Sequence, residues 1–480
     1  MNKLKKSLAL IATLAIASTA LVACGGSDSK PADTTAATTK ASTTAASGEA
    51  TDAPTTTEAQ KEEAKIEMPD TGDQLTILCW TGDDIEKMIE NFESKNPDAK
   101  GKIKYQNVGK NGGDAREKYA NYFAGGSDAD LFVLEADWIL EYINQDDYTA
   151  PLSKIGFTAD DFKGCYPYTV SIGTNNAGVL KAASWQATPG AYAYRADLAE
   201  QYLGVKTPAE MQEKVKDWNT FTETAKAVKE ASKGKTAMTA TLGGLWQVYQ
   251  YNHGTAWAKD GVADLNDQYY KDFAELAKTY YTEGYVTKAS QWAEDGSWYA
   301  IGQDDSTLGY FFCTWCFGKG SMLSNAEGGE GGKTYGKYAL CEGPSTWAWG
   351  GSWLALNPKC DNGTLAHDFV KYFTVDEASM EDYALFKGEF VNNPNVMKKI
   401  VDDKKNSNPL FKDGQDQFAV LYPSASKIDM SGKISEFDSQ IKNAYNEAVM
   451  NYAQGKTASV DEMMEAFKKK AGQIEGLTLK

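Results

Sequence analysis

The sequence predicts an open α/β fold built as two lobes, and three observations point there. A strand–helix–strand–helix–strand series opens the body of the chain, a second strand–helix segment begins after Trp185, and about 410 residues (480 − 70) are left to fill two cores once the N-terminal segments are set aside. Leu75-Thr76-Ile77-Leu78-Cys79-Trp80 is a near-continuous apolar strand, as expected when both sheet faces are covered. The turn Thr81-Gly82-Asp83-Asp84 leads into Ile85, Met88, Ile89 and Phe92, spaced i, i+3, i+4, i+7 on one helical face that Asn96-Pro97 brings to a stop. A second strand follows over Lys102 to Val108. A helix from Arg116 to Phe123 ends at Gly125-Gly126, and Asp130-Leu131-Phe132-Val133-Leu134 is a third buried strand.

In the second segment, Ala191-Tyr192-Ala193-Tyr194 is a strand and Arg195-Ala196-Asp197-Leu198 opens a helix. Thr220 to Glu223 has the spacing of a capping box ahead of a helix reaching Ser232. Asp264-Leu265-Asn266-Asp267 is placed to cap a helix through Phe273, Leu276, Ala277 and Tyr280. The run Gly328-Gly329-Glu330-Gly331-Gly332 lacks the strand before and helix after that a phosphate loop needs, and is expected to be a mobile surface loop.

The first twenty-four residues have export architecture. Lys3, Lys5 and Lys6 precede an uncharged apolar run from Leu8 to Val22 that is short for a membrane span, and Leu21-Val22-Ala23-Cys24 is similar to a bacterial lipobox. This implies a signal peptide over 1–23 and lipidation of Cys24, which anchors the mature protein to the membrane by its N-terminus, on the extracellular face. From Gly25 to about Lys65 the chain is Thr, Ala, Ser, Gly, Asp and Glu with no aromatic residue, so residues 24–70 are expected to be a disordered tether.

Composition excludes several functions. The formal charge is −17, and removal of a leader carrying +3 leaves about −20, which argues against nucleic acid or an anionic surface as partner. Only two histidines, His253 and His367, disfavour a His-based metal site or a Ser/His triad, and no cofactor is implied. Seven cysteines leave six beside Cys24: Cys79, Cys165, Cys313, Cys316, Cys341 and Cys360, whose pairing sequence does not give. Cys313-Thr314-Trp315-Cys316 has redox spacing but stands alone, so buried thiols or a structural disulfide are expected there.

The order of these features resembles the family 1 extracellular solute-binding proteins, the maltose-binding type that serve ABC importers. The resemblance spans about Asp73 to Ala471. It rests on Leu75 to Phe92, on Asp130-Leu131-Phe132-Val133-Leu134-Glu135-Ala136-Asp137-Trp138, and above all on Tyr192-Ala193-Tyr194-Arg195-Ala196-Asp197-Leu198. Pro208, Trp218-Asn219-Thr220-Phe221, Trp349-Gly350-Gly351-Ser352-Trp353-Leu354-Ala355-Leu356 and His367 to Phe373 follow in the same order. The resemblance implies a periplasmic-binding-protein-like fold, with strands crossing between the lobes as a hinge and ligand in the cleft. It places crossings near Trp185 to Gly190 and near Glu342 to Trp349. Lobe 1 is then 71–185 plus 346–376, and lobe 2 is 186–345 plus 377–480.

A monomer that captures a carbohydrate, an oligosaccharide by its wealth of rings, and hands it to ABC permease subunits is the function implied. It needs no catalytic residue. A secreted glycosidase or lyase, or a receptor subunit for a membrane sensor, is the alternative. Sugar sites pair flat aromatic faces with carboxylate acceptors at strand ends. Candidates on that basis are Trp80, Asp83 and Asp84 after the first strand; Glu135, Asp137 and Trp138 after the third; and Trp185, Trp315, Trp349 and Trp353 at the crossings or strand ends. Asp83 and Asp84 equally suit a helix cap, and any one of these tryptophans equally suits a core. Trp218 is expected to be structural, and the region of Trp246 and Tyr249 to Trp257 to lie in the second lobe.

Overall fold

The computed structural model describes residues 65–480 apart from positions 81, 110–112, 127 and 319. The signal peptide, Cys24 and most of the tether lie outside the described residues, as does the side chain of Asp83. Residues 65–70, expected to belong to the tether, are instead held on the body. Ile66 bridges to Ile155, and Asp70 accepts hydrogen bonds from the Thr364 amide and hydroxyl at 2.8 and 2.6 Å.

Two separate sheets organise the body. β1 (Leu75–Cys79), β2 (Ile103–Asn107), β3 (Leu131–Glu135), β4 (Ala182–Ser184) and β10 (Ser352–Leu356) form the first, in the order β2-β1-β3-β10-β4. β1, β2 and β3 run parallel, with the helices Gly82–Lys95 and Gly113–Gly125 between them; β10 enters antiparallel to both β3 and β4. The near-continuous apolar strands are explained by this layering, since all five residues of β3 and of β10 are buried. β5 (Gly190–Arg195) is the buried centre of the second sheet, flanked antiparallel by β8 (Gly309–Cys313) and β9 (Tyr338–Cys341). A small third sheet joins β6 (Ala258–Lys259), β7 (Val262–Ala263) and the C-terminal β11 (Thr478–Leu479).

The chain passes between the two large sheets at 185–189, after β4, and at 342–351, before β10. These segments pair with one another: the Gly190 amide donates to Trp347 O at 2.9 Å and the Trp349 amide to Thr188 O at 3.0 Å. A third segment joins them, Gln186 bridging to Val391, with the Ala187 amide on Phe390 O at 2.9 Å and the Asn392 amide on Trp185 O at 3.1 Å. Backbone approaches closely here. A Cβ on Gly190 would stand 2.1 Å from Trp347 Cε2, inside a fully buried indole.

Local signals resolve in two places differently from expectation. The helix Trp218–Ala231 begins before Thr220, because Asp217 is its cap and accepts from the Thr220 amide at 2.7 Å. The Asp217 amide in turn donates to Thr220 Oγ1 at 3.1 Å, so the capping box is one turn upstream of the expected one. The glycine run after the helix Met322–Glu327 is a pinned turn: Gly332 N–H donates to Gly329 O at 2.9 Å, and Gly336 N–H to the Glu327 carboxyl at 3.0 Å. Asp267 caps the helix Gln268–Thr282, accepting from the Tyr269 amide at 2.9 Å. No helix among the described residues is long and apolar enough to cross a membrane.

Candidate functional site

A cleft of about 360 Å³ opens where the crossing segments meet the strand ends. Its walls come from both large sheets. Trp80 follows β1, Asp84 lies in the first turn of the next helix, and Glu135 ends β3. Gln186, Gly350 and Gly351 belong to the crossing segments and Ser352 opens β10; Trp315 sits in a 3-10 turn directly after β8. Trp292, Met322 and Trp349 complete the lining. Ligands of open α/β sheets collect at such strand ends, where helix starts and turns offer polar groups.

Three of the indoles form a cluster. Trp315 and Trp292 lie nearly parallel, centroids 6.4 Å apart at 10°, and Trp349 meets them at 4.9 and 5.7 Å with steep tilts. Trp315 Nε1–H donates to Trp349 O at 2.9 Å, which fixes the ring's direction. Trp292 is 54% exposed, the most open of the three rings.

The polar groups differ in character. Asp84 is paired with Lys387 at 2.6 Å. Glu135 is buried; its Oε2 accepts from the Asp137 amide at 2.9 Å. Burial, and then the nearby Asp137 charge, push its carboxyl up to about 8, against the pull of Lys442. The shift favours the neutral carboxyl, a form that offers an O–H donor as well as an acceptor. The backbone opposite must be glycine: Gly350 and Gly351 have φ of 62° and 121°, and a Cβ on Gly350 would stand 3.0 Å from Glu135 Oε1. Behind the Trp315 turn lies Glu389, buried and pushed up to about 8 by burial and by the Asp84 charge.

Of the ten residues expected from sequence to face ligand, the cleft gathers Trp80, Asp84, Glu135, Trp315 and Trp349. Asp137 instead pairs with Lys442 at 2.7 Å and lines a separate cavity of about 60 Å³ with Trp246, Tyr251 and Trp257. Trp138 is buried beside Trp80, with centroids 5.8 Å apart. Trp185 is a core residue stacked on Phe373 at 4.6 Å and 14°. Trp353 is buried too, its indole N–H donating to Thr169 O at 2.9 Å. Sequence reasoning missed Trp292, Gln186 and Met322. A larger hollow of about 550 Å³ beside the small sheet has Trp257 as its one ring, among charged residues such as Lys259, Asp260 and Glu436. Among the described residues no cluster of three or more His, Cys, Asp or Glu is arranged to hold a metal ion.

The model of the bacterial extracellular solute-binding protein family matches residues 87–413. The chain belongs to that family. A comparison with curated proteins found no match. Solved structures align along most of this solute-binding protein. A family 1 extracellular solute-binding protein gives a TM-score of 0.71 at 18% identity, covering 83% of this chain and 100% of its own. The ABC transporter associated binding protein from B. animalis subsp. lactis Bl-04, solved with β-1,6-galactobiose, gives 0.66 at 18%, covering 85% and 99%. Maltose-bound MalE3 of T. maritima gives 0.60 at 16%, covering 84% and 100%. At such identities the likeness fixes the fold: this solute-binding protein has the two-lobe architecture, with its cleft between the sheets.

Proposed function

We propose that this solute-binding protein is anchored outside the cell through lipidated Cys24, captures a short carbohydrate in the cleft, and delivers it to the permease of an ABC importer. The lobes are 71–185 plus 346–376 and 186–345 plus 377–480, a division supported by the crossings at 185–189 and 342–351. One observation carries the reading. Three clustered indoles share a single cleft with Asp84, Glu135 and Gln186, pairing flat apolar faces with the acceptors and donors that sugar hydroxyls require. The volume is at the small end for ligand sites, which favours a short saccharide over a long one. Two of the structural neighbours hold β-1,6-galactobiose and maltose, which supports the ligand class.

The test is thermal unfolding of the body against a panel of mono- and oligosaccharides. A ligand at a hundred times its Kd adds about 2.7 kcal/mol. A selective rise in Tm with the sugar recovered unchanged supports capture; no rise across the panel, or turnover of the sugar, overturns it. Delivery is tested by sugar uptake in cells lacking the protein, and anchoring by release of a Cys24→Ala variant into the medium.

A further inference from the structure

The turn that carries Trp315 into the cleft has a sulfur on each side. Thr314–Cys316 is a 3-10 turn; Cys313, Thr314 and Cys316 are fully buried, and the Trp315 side chain alone reaches the cleft. Cys313 Sγ and Cys316 Sγ lie 3.9 Å apart. Each is also seated against the lining: Cys313 Sγ is 3.7 Å from Trp349 O, the carbonyl that accepts from Trp315, and Cys316 Sγ is 3.5 Å from Met322 Sδ. The sulfurs face each other across one turn and need to close by about 2 Å to bond.

We propose that Cys313 and Cys316 are joined as a disulfide in the exported protein, closing a small ring around Trp315 that holds its indole in the cleft. The oxidant is a disulfide outside the cytoplasm, of a small molecule or of a thiol oxidoreductase. One cysteine thiolate attacks it and releases one thiol; the second cysteine then attacks the mixed disulfide and releases the other thiol. Two electrons and two protons pass from the cysteine pair to the two released thiols. Because both sulfurs are fully buried in the folded chain, the exchange precedes closure of the core, and the finished bond is sheltered from reductants.

The ring changes what the cleft can do. Without it, Trp315 is directed by one hydrogen bond to Trp349 O and by its ring neighbours. With it, the backbone from 313 to 316 has few conformations left, so less ordering is needed when a ligand settles on the indole. The part of this inference that treats Trp315 as a ligand platform rests on the carbohydrate reading; the bond and the rigidity of the turn do not.

The test starts with the full chain exported by its own leader, denatured with iodoacetamide in the absence of reductant, and digested. The expected result is one peptide holding both cysteines unalkylated and lighter by two hydrogens; alkylation of both sulfurs overturns the proposal. Next, backbone hydrogen exchange is compared between that protein and the Cys313→Ser/Cys316→Ser variant, with no sugar present. Amides 314–317 are expected to exchange at least several-fold faster in the variant. Equal exchange at those amides overturns the role of the bond in holding Trp315, even with the disulfide found. A sugar panel that fails while both results stand refutes the ligand class and leaves this inference intact.

Discussion

Replacing Glu389 by Gln is expected to stabilise the protein, with a gain that grows with pH. Glu389 is 2% exposed in the segment that joins the crossing strands. Its carboxyl titrates at about 8 in the fold against an ordinary 4.5, chiefly because burial disfavours the charged form, with Asp84 adding repulsion. A carboxyl raised in this way costs nothing below 4.5, where folded and unfolded chains are both protonated. As pH rises from 4.5 to 8, the unfolded chain releases its proton and the folded chain keeps it, so stability falls by about 1.4 kcal/mol per pH unit. At pH 7 the loss is two and a half pH units' worth, about 3.5 kcal/mol as an upper bound. Gln is neutral in both states, nearly isosteric, and keeps an oxygen for Thr314, while its amide replaces Oε1, which has no hydrogen-bond partner. Urea unfolding of both proteins from pH 4.5 to 8 reads the effect. Glu135 and Glu327 are raised to about 8 as well, so the wild type has a pH slope of its own and the difference between the curves isolates Glu389. A difference that does not change with pH, or a Gln variant less stable at pH 7, refutes the reasoning.

Three further outcomes are expected. Trp292→Ala should leave Tm nearly unchanged, because the ring is 54% exposed, yet weaken sugar binding by about 1 kcal/mol, roughly five-fold in Kd by calorimetry; unchanged Kd removes Trp292 from the site. Gly190→Ala drives a Cβ into Trp347 and should cost about 1–3 kcal/mol, seen as a lower Tm; an unchanged melt shows that the crossing segments yield easily. Lys442→Met strips the cation from Asp137 and from the raised carboxyls of Glu135 and Asp438. Since Asp137 is 41% exposed the loss is set at about 1–3 kcal/mol, larger at pH 8.5 than at pH 5.5, and the reverse pH trend by urea unfolding counts against the network.

Much of the fold was legible because its signals are local. β1 and β3 announce themselves as apolar runs, and the helix Gly82–Lys95 by the spacing of Ile85, Met88, Ile89 and Phe92. Trp80 and Glu135 were reachable from the rule that ligands sit at strand ends. Facing was not legible at the crossings. Side chains alternate along extended chain, so one step separates cleft from core: Gln186 lines the cleft while Trp185 stacks on Phe373, and Ser352 lines it while Trp353 is buried. Composition favoured the larger ring in each pair and chose the wrong neighbour. Trp292 was invisible for another reason. It sits in irregular chain at φ 65°, with no period to declare which way it points.

The antiparallel entry of β10 sets an order of assembly. Leu354 pairs with Val133, 354 − 133 = 221 positions earlier, whereas β5, β8 and β9 all lie between 190 and 341. A chain threaded outward from its N-terminus therefore presents every strand of the second sheet before the first can be finished. Until residue 356 arrives, β3 offers one edge with no strand to fill it, and closing so long a loop is slow. Exposed strand edges invite pairing with other chains. The first sheet is thus the late and vulnerable one, and its completion by β10 also draws together the segment that carries Trp349, Gly350 and Gly351 into the cleft. Until β10 is seated the cleft has no complete wall, although nearly all of its lining residues precede that strand.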